Sequence, residues 1–371
     1  MFGVLSMLEK IATKVVVKYM RKGNMSRCLR DILPATDLTK EQREVVADIV
    51  HDVVRWKKLY DMLLDERSIE NLPESYVQLA LEGAHKNAHS HSFGYQYSCS
   101  DYVANILRAK LEWAKYLNEK PPTTLCVNQN KSSKAEVIET LKKEKMPAEL
   151  SKLETAVLTT SIGKYSSVIK NRYAHVQDES SQLISYITVN LGDKILDFCA
   201  GSGGKSLSMA SITKNEKTLH AYEINAKKRM TLEQRCRDYD AKVLVEEDVP
   251  DKMFDVVLVD APCTGIGAAR RNPEAKYVEE SGDFPEIQLK ILMDAAQKVV
   301  DEGSLVYSLC TFTPEETEGV IKQFSKTSGF KVSKAYDFTY SNLLLKNRYG
   351  AFTNVPNGDI FFVSILKKRN D

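Results

Sequence analysis

Hydrophobic positions recur at helical spacing through the first hundred-odd residues. Phe2, Leu5, Leu8, Ile11, Val15 and Tyr19 line one face of a helix whose opposite face carries Lys10, Lys14, Lys18, Arg21 and Lys22. Val45, Val46, Ile49, Val53, Trp56, Tyr60 and Leu63 make a second stripe. Its spacing predicts one helix over 39–64 with Thr39 as the cap. Further helices are expected near 73–88 and 101–116, so residues 1–117 read as an all-helical domain. The texture changes at Pro121 and Pro122. TTLCVNQ reads as a strand and 134–145 as a helix, which predicts a small α/β connector over 118–175. From Gln177 onward, short runs of Val, Leu and Ile alternate with helical patterns. Strands are expected at 194–199, 219–224, 242–246, 256–260, 305–309 and 360–366, and a helix over 284–300. The fold class is therefore α/β over 176–371, a doubly wound, Rossmann-like sheet with right-handed crossovers. The last strand follows a tail with Asn347, Gly350, Asn357 and Gly358 and is a candidate antiparallel edge.

Composition narrows the class. The chain has 371 residues, 43% hydrophobic and 27% charged, enough for two or three domains with a full core. A net charge of +2 means that a polyanionic partner must be held by local basic patches. The basic face of the first helix suits either solvent or RNA. Seven cysteines without a CxxC pair argue against a secreted disulfide scaffold and a zinc ribbon. His85, His89 and His91 read as a polar helix end, and no metal is expected. Glu9 and Lys10 come too early for a signal peptide, and no apolar run approaches a membrane span. A cytoplasmic, monomeric protein is expected.

The candidate chemistry lies at strand ends, where open α/β sheets bind ligands. The first strand of the sheet ends in DFCAGSGGKS, residues 197–206. Glycines there let backbone approach a ligand, either a phosphate or an adenosyl group. A P-loop would need Gly at Cys199, and a dinucleotide fingerprint would need G-x-G-x-x-G, so both fail. Asp197, Glu223, Asp248 and Asp260 each close one of four successive strands. A nucleoside cofactor spread across the crevice accounts for all four, and S-adenosylmethionine fits better than NAD. Cys263 and Cys310 follow two neighbouring strands and face the same crevice. A thiol beside a methyl donor suggests cytosine C5 methylation. Thiolate addition at C6 makes C5 nucleophilic, and loss of the C5 proton with expulsion of the thiol completes the cycle. Nitrogen 3 needs a hydrogen bond or proton, for which Asp260 is the candidate; its carboxyl must be protonated or share a proton with the base.

DFCAGSGGKS, DAPCTGIGAARRNPEAK, EIQLKILMDAA, YSLCTFTPEETE and QDESSQL together resemble the signatures of the Sun family (Nop, Nol and NSun proteins) of RNA cytosine-5 methyltransferases. The resemblance runs from about Pro121 to the C-terminus. It implies that Cys310 attacks the base, Cys263 helps release the product, Asp260 contacts the pyrimidine, and Lys205 sits beside Asp260. It also implies cofactor contacts from Ala200, Gly201, Ser202, Gly203, Gly204, Lys205, Glu223, Arg229, Asp248 and Asp260. Departures fall at Gly201-Ser202, where the family has Ala-Pro, at Glu223, where Asp is commoner, at Leu309, where Thr is usual, and at Cys126, where Arg is usual. The helical region resembles the NusB-like RNA-binding domain of the bacterial small-subunit rRNA methyltransferase B group, and the connector an RNA-recognition-motif-like unit.

Arg270, Arg271 and Lys276 follow Cys263 and are candidate phosphate contacts; the bland alternative pairs them with Glu274, Glu279 or Glu280. A base within a stem would have to be flipped out to reach Cys310. The expected partner is structured RNA, rRNA before tRNA. A non-catalytic assembly factor, or a methyltransferase acting on an amine or on DNA, are the competing classes. DAPC is not the polar-Pro-Pro-aromatic loop of amine methylation.

Overall fold

The computed structural model describes residues 6–160, 162–163, 166–333 and 338–368. The chain forms two units, Met1–Lys120 with Ala268–Glu280, and Pro121–Gly267 with Ser281–Asp371. The connector does not stand apart as a unit of its own.

In the helical unit, capping boxes start the helices Met7–Lys22 and Lys40–Arg55, where Ser6 with Glu9 and Thr39 with Gln42 exchange bonds with backbone N–H groups. Val15, Val16, Val46, Val50, Val53, Leu59, Tyr60 and Val77 fill the core. Phe2 and Leu5 of the expected first stripe lie outside the described residues. The helix expected over 39–64 divides at Trp56 into Lys40–Arg55 and Lys57–Glu66. Trp56 there stacks on His85, with centroids 5.1 Å apart and planes 7° from parallel. The next expected helix stops at Gly83, which takes φ 64, and 101–116 divides into Asp101–Leu107 and Leu111–Tyr116. His85 Nδ1 bonds the Tyr60 hydroxyl at 3.1 Å. Among the described residues, no three His, Cys, Asp or Glu side chains gather as metal ligands, and no helix is long and apolar enough to cross a membrane.

Residues 268–280 correct an expectation. Arg270 and Lys276 were candidate phosphate contacts, yet they are 3% and 1% exposed within the helical unit. The Arg270 guanidinium lies over the Tyr116 ring, 4.1 Å from its centroid, and donates to the Tyr116 hydroxyl. Lys276 Nζ donates to the carbonyls of Arg55 and Tyr97 at 2.9 and 3.1 Å and to Asn118 Oδ1 at 2.5 Å. Neither cation is presented to a phosphate, because carbonyl, hydroxyl and amide oxygens of the helices have taken its donors. Arg271 is only partly buried.

Burial pushes the Lys276 ammonium down to about 7. Its folded affinity for a proton lies below the unfolded one, so between about pH 7 and 10.5 unfolding takes up a proton and stability rises with pH. Lys276→Met is expected to flatten that rise. At neutral pH it should also destabilise the helical unit by about 1–3 kcal/mol, since the Arg55 and Tyr97 carbonyls and the Asn118 amide oxygen each lose one donor. Denaturant melts of both proteins across this pH range check both outcomes.

The second unit holds two sheets. In the smaller one β1 (Thr123–Val127), β2 (Glu149–Leu150), β3 (Ala156–Thr159) and β4 (Ala174–Val176) pair antiparallel in the order β2-β3-β1-β4. Gln182, fully buried on the helix Glu179–Val189, donates to the Leu125 carbonyl and accepts from Thr155 at 2.8 Å. The polar QDESSQ run thus ties this sheet to the helix that packs on the larger sheet. Cys126 is completely buried on β1, near Ser208 Oγ at 3.6 Å, with its thiol pushed up to about 12 by burial. From that position no side chain of this chain reaches solvent.

The larger sheet contains β5 (Lys194–Asp197), β6 (Thr218–Tyr222), β7 (Val243–Glu246), β8 (Phe254–Asp260), β9 (Val299–Leu309), β10 (Phe330–Val332), β11 (Leu344–Lys346), β12 (Ala351–Thr353) and β13 (Phe362–Lys368). Its parallel core runs β7-β6-β5-β8-β9, so the chain reverses direction across the sheet between β5 and β8. Val256, Val257, Leu258 and Val259 are fully buried, as expected of a strand covered on both faces. β13 is antiparallel to β9, but it is not an edge. Its far side pairs with β12 at one end and β10 at the other.

Candidate active site

The crevice at the switch point lies beyond the carboxyl ends of β5 and β8, which carry Asp197 and Asp260. Asp197 is 1% exposed; its Oδ2 accepts from Ser206 at 2.6 Å, while its Oδ1 has no hydrogen-bond partner among the described residues. Burial pushes its carboxyl up to about 6, against the stabilising Ser206 bond. Glu223, after β6, accepts the backbone N–H of Gly201 and of Asn225, both at 2.8 Å, and so ties two strand-end loops together. Gly201 takes φ 57 with open space where a Cβ would stand. Gly203 takes φ 88 and lies so close to Leu232 that a Cβ would collide with it. The Ala200 N–H donates to Tyr222 and the Ser202 carbonyl accepts from Arg235, leaving Gly204 and Lys205 to begin the helix Gly204–Ile212. Arg229 spans the Glu223 carbonyl and the Glu247 carboxylate at 3.1 and 3.0 Å, a brace behind the strand end. Asp248 is exposed.

Two apolar residues escaped the sequence reading. Ile224 is 81% and Val249 37% exposed, each directly after one of the strand-end acids Glu223 and Asp248. Bare aliphatic surface beside such an acid is the available signal, since a base has an apolar face to cover.

Across the switch point, Lys205 Nζ donates to Asp260 Oδ2 at 2.7 Å and lies 5.0 Å from the Phe361 ring centroid. Their side chains are 8% and 31% exposed, so the pair sits at the crevice wall with the carboxylate on the open side. Cys263 and Cys310 follow β8 and β9, and their sulfurs lie 3.4 Å apart. Hydrogen bonding to Cys310 and then burial hold the Cys263 thiol well above its ordinary value, with Glu316 and Asp260 adding to the effect. Cys263 is thus held in its protonated form, while either sulfur can be the donor in the contact between them. Cys199 is no rival, because burial and the surrounding carboxylates push its thiol far up.

Backbone contacts hold the two loops beside each other. Gly267 donates to the Cys310 carbonyl at 2.9 Å and accepts from Ile360 at 3.0 Å. A Cβ at Gly267 would collide with the Ile360 carbonyl, so this crossing admits only glycine.

A reversed parallel core, an antiparallel strand inserted beside its last member, and glycines and acids at the strand ends define a Rossmann-like methyltransferase domain. S-adenosylmethionine is the cofactor of that class. Residues 185–367 match the family described as 16S rRNA methyltransferase RsmB/F. A probable ribosomal RNA small subunit methyltransferase B of Bacillus subtilis is 32% identical over 220 residues, covering 55% of this chain and 49% of the relative. One from Coxiella burnetii is 29% identical over 272 residues, covering 68% and 62%. The chain thus spans about half to under two thirds of these relatives. The crystal structure of PH0851 superposes with a TM-score of 0.79 at 17% identity, covering 99% of this chain and 100% of that one. That of NSun6 from Pyrococcus horikoshii with SFG gives 0.63 at 17% identity, covering 78% and 97%. These two likenesses concern the fold.

Proposed function

We propose that this protein is an S-adenosylmethionine-dependent RNA cytosine-5 methyltransferase acting through a covalent cysteine adduct, with ribosomal RNA as substrate. The observation that carries the reading is the pair of sulfurs 3.4 Å apart at the ends of β8 and β9, beside the Lys205–Asp260 pair. The description of the matching family and the names of the relatives support rRNA over tRNA.

The residues present fit the cofactor. Glu223 has lone pairs left for ribose hydroxyls, Ile224 and Val249 offer aliphatic cover for the base, and residues 200–205 leave backbone open to the methionine end. The unpartnered Asp197 Oδ1 is a buried acceptor awaiting a donor. When bound, S-adenosylmethionine supplies an electrophilic methyl to cytosine C5.

Cys310, as thiolate, adds to C6 of the extruded cytosine and converts C5 into an enamine carbon. Asp260 and Lys205 together offer a proton toward N3, which takes up the charge displaced by the addition. After C5 has been alkylated, a base takes its proton, the C6–sulfur bond breaks with Cys310 leaving as thiolate, and N3 returns its proton to the Asp260–Lys205 pair. Cys263, held protonated, donates to that departing sulfur. Arg271 remains a candidate phosphate contact. Bisulfite sequencing of total RNA from cells with and without the gene tests the reading. One small-subunit rRNA cytosine should lose its protection when the gene is absent, and unchanged profiles in all RNA would refute it.

A further inference from the structure

We propose that Glu316 is a positioning residue for this reaction, the anchor that fixes the separation of the two sulfurs. For its catalytic arm the inference rests on the proposed function. Glu316 is fully buried, and it lies in the π-helical turn Glu315–Gly319 that follows the Cys310 loop. Its Oε1 accepts from the hydroxyls of Thr264, Thr313 and Thr311 at 2.5, 2.8 and 3.3 Å. Its Oε2 accepts from the Thr264 N–H at 3.0 Å and Gln288 Nε2 at 2.9 Å. Gln288 also donates to the Pro262 carbonyl at 2.9 Å and accepts from Tyr307 on β9 at the same distance.

A carboxylate withdrawn from water costs several kcal/mol unless donors replace its hydration. Here five donors do so, and their sources are informative. Thr264 is the residue after Cys263, and Thr311 is the residue after Cys310. The strand ladder stops short of both loops, its last pairing being Asp260 with Ser308. Beyond the sheet a buried anion therefore gathers both loops, alongside the Gly267–Cys310 backbone bond and the Thr264–Thr311 hydroxyl contact at 2.8 Å. A misplacement of about 1 Å between reacting groups can cost roughly 100-fold in rate.

Glu316→Ala should lower kcat by roughly 100-fold while the KM for S-adenosylmethionine stays within about 3-fold. Glu316→Gln should lose roughly 10-fold or less. Its oxygen can keep the Thr264 N–H and Gln288, and two of the three hydroxyls can turn to accept from its two amide hydrogens. A second readout needs no RNA. Diamide, itself reduced to the hydrazine, oxidises the two thiols to a Cys263–Cys310 disulfide that peptide mass spectrometry quantifies. Trapping should be fast in the wild type and about tenfold slower in Glu316→Ala and in Thr264→Val, compared at equal S-adenosylhomocysteine binding. The Thr264→Val protein keeps the carboxylate and serves if the alanine variant does not fold. Wild-type trapping rates in folded variants would overturn the inference. If the wild type transfers no methyl to cytosine but trapping still depends on Glu316, the functional reading fails and the anchor stands. If methyl transfer is present and both readouts ignore Glu316 and Thr264, the anchor fails alone.

Discussion

Cys310→Ala is expected to abolish methyl transfer, by on the order of 10⁴-fold or more, and to leave S-adenosylmethionine binding close to that of the wild type. The size follows from chemistry. Without the C6 adduct, C5 of cytosine is too weak a nucleophile to be alkylated, and no other thiol replaces the lost one. Cys199 is held protonated by burial and carboxylates, and in this variant burial, Glu316 and Asp260 still hold the Cys263 thiol above its ordinary value. The proposed cofactor contacts at residues 200–205, Glu223, Ile224 and Val249 follow β5, β6 and β7 and do not include this sulfur. Incorporation of labelled methyl into unmodified rRNA, beside calorimetric titration with S-adenosylhomocysteine, reads both halves. Transfer within tenfold of the wild type would remove the nucleophile from the mechanism.

Cys263→Ala produces the second large effect, which has the opposite appearance. The adduct still forms, because Cys310 is intact, but the proton donor for its departure is gone. A protein–RNA species stable to denaturing electrophoresis should therefore accumulate to a large share of the enzyme, against almost none in the wild type. It should require the methyl donor and vanish in the Cys263→Ala, Cys310→Ala double variant. Accumulation on replacing Cys310 instead would exchange the roles of the two sulfurs.

Much of the fold was legible because local pattern and tertiary demand agree. The strands of the parallel core are buried on both faces, so their apolar runs and terminal acids stand out in the chain. Cys263, Cys310 and Asp260 could be placed at strand ends for the same reason, whereas Lys205 beside Asp260 was implied by the family resemblance. What escaped depends on partners far away in sequence. Trp56 continues a helical stripe, yet the helix turns there and the ring stacks on His85, 29 residues on. The three-residue strands β10, β11 and β12 carry too few positions to show a period. Glu316 reads as one acid in an acidic run. Only its five donors, contributed by two loops and a helix, distinguish it from its exposed neighbour Glu315. Arg270 and Lys276 read as a basic loop because burial of a cation cannot be seen without its carbonyl partners.

The excursion of residues 268–280 has a consequence for dissection of the molecule. Lys276 is among the largest fully buried side chains of the chain, and its interior place is in the unit begun by the first 120 residues. A fragment ending at residue 120 would carry an interior with Arg55, Tyr97 and Asn118 oxygens facing an empty slot. No single scissor cut yields an intact half; the helical portion is completed by a ribbon borrowed from the middle of the polypeptide.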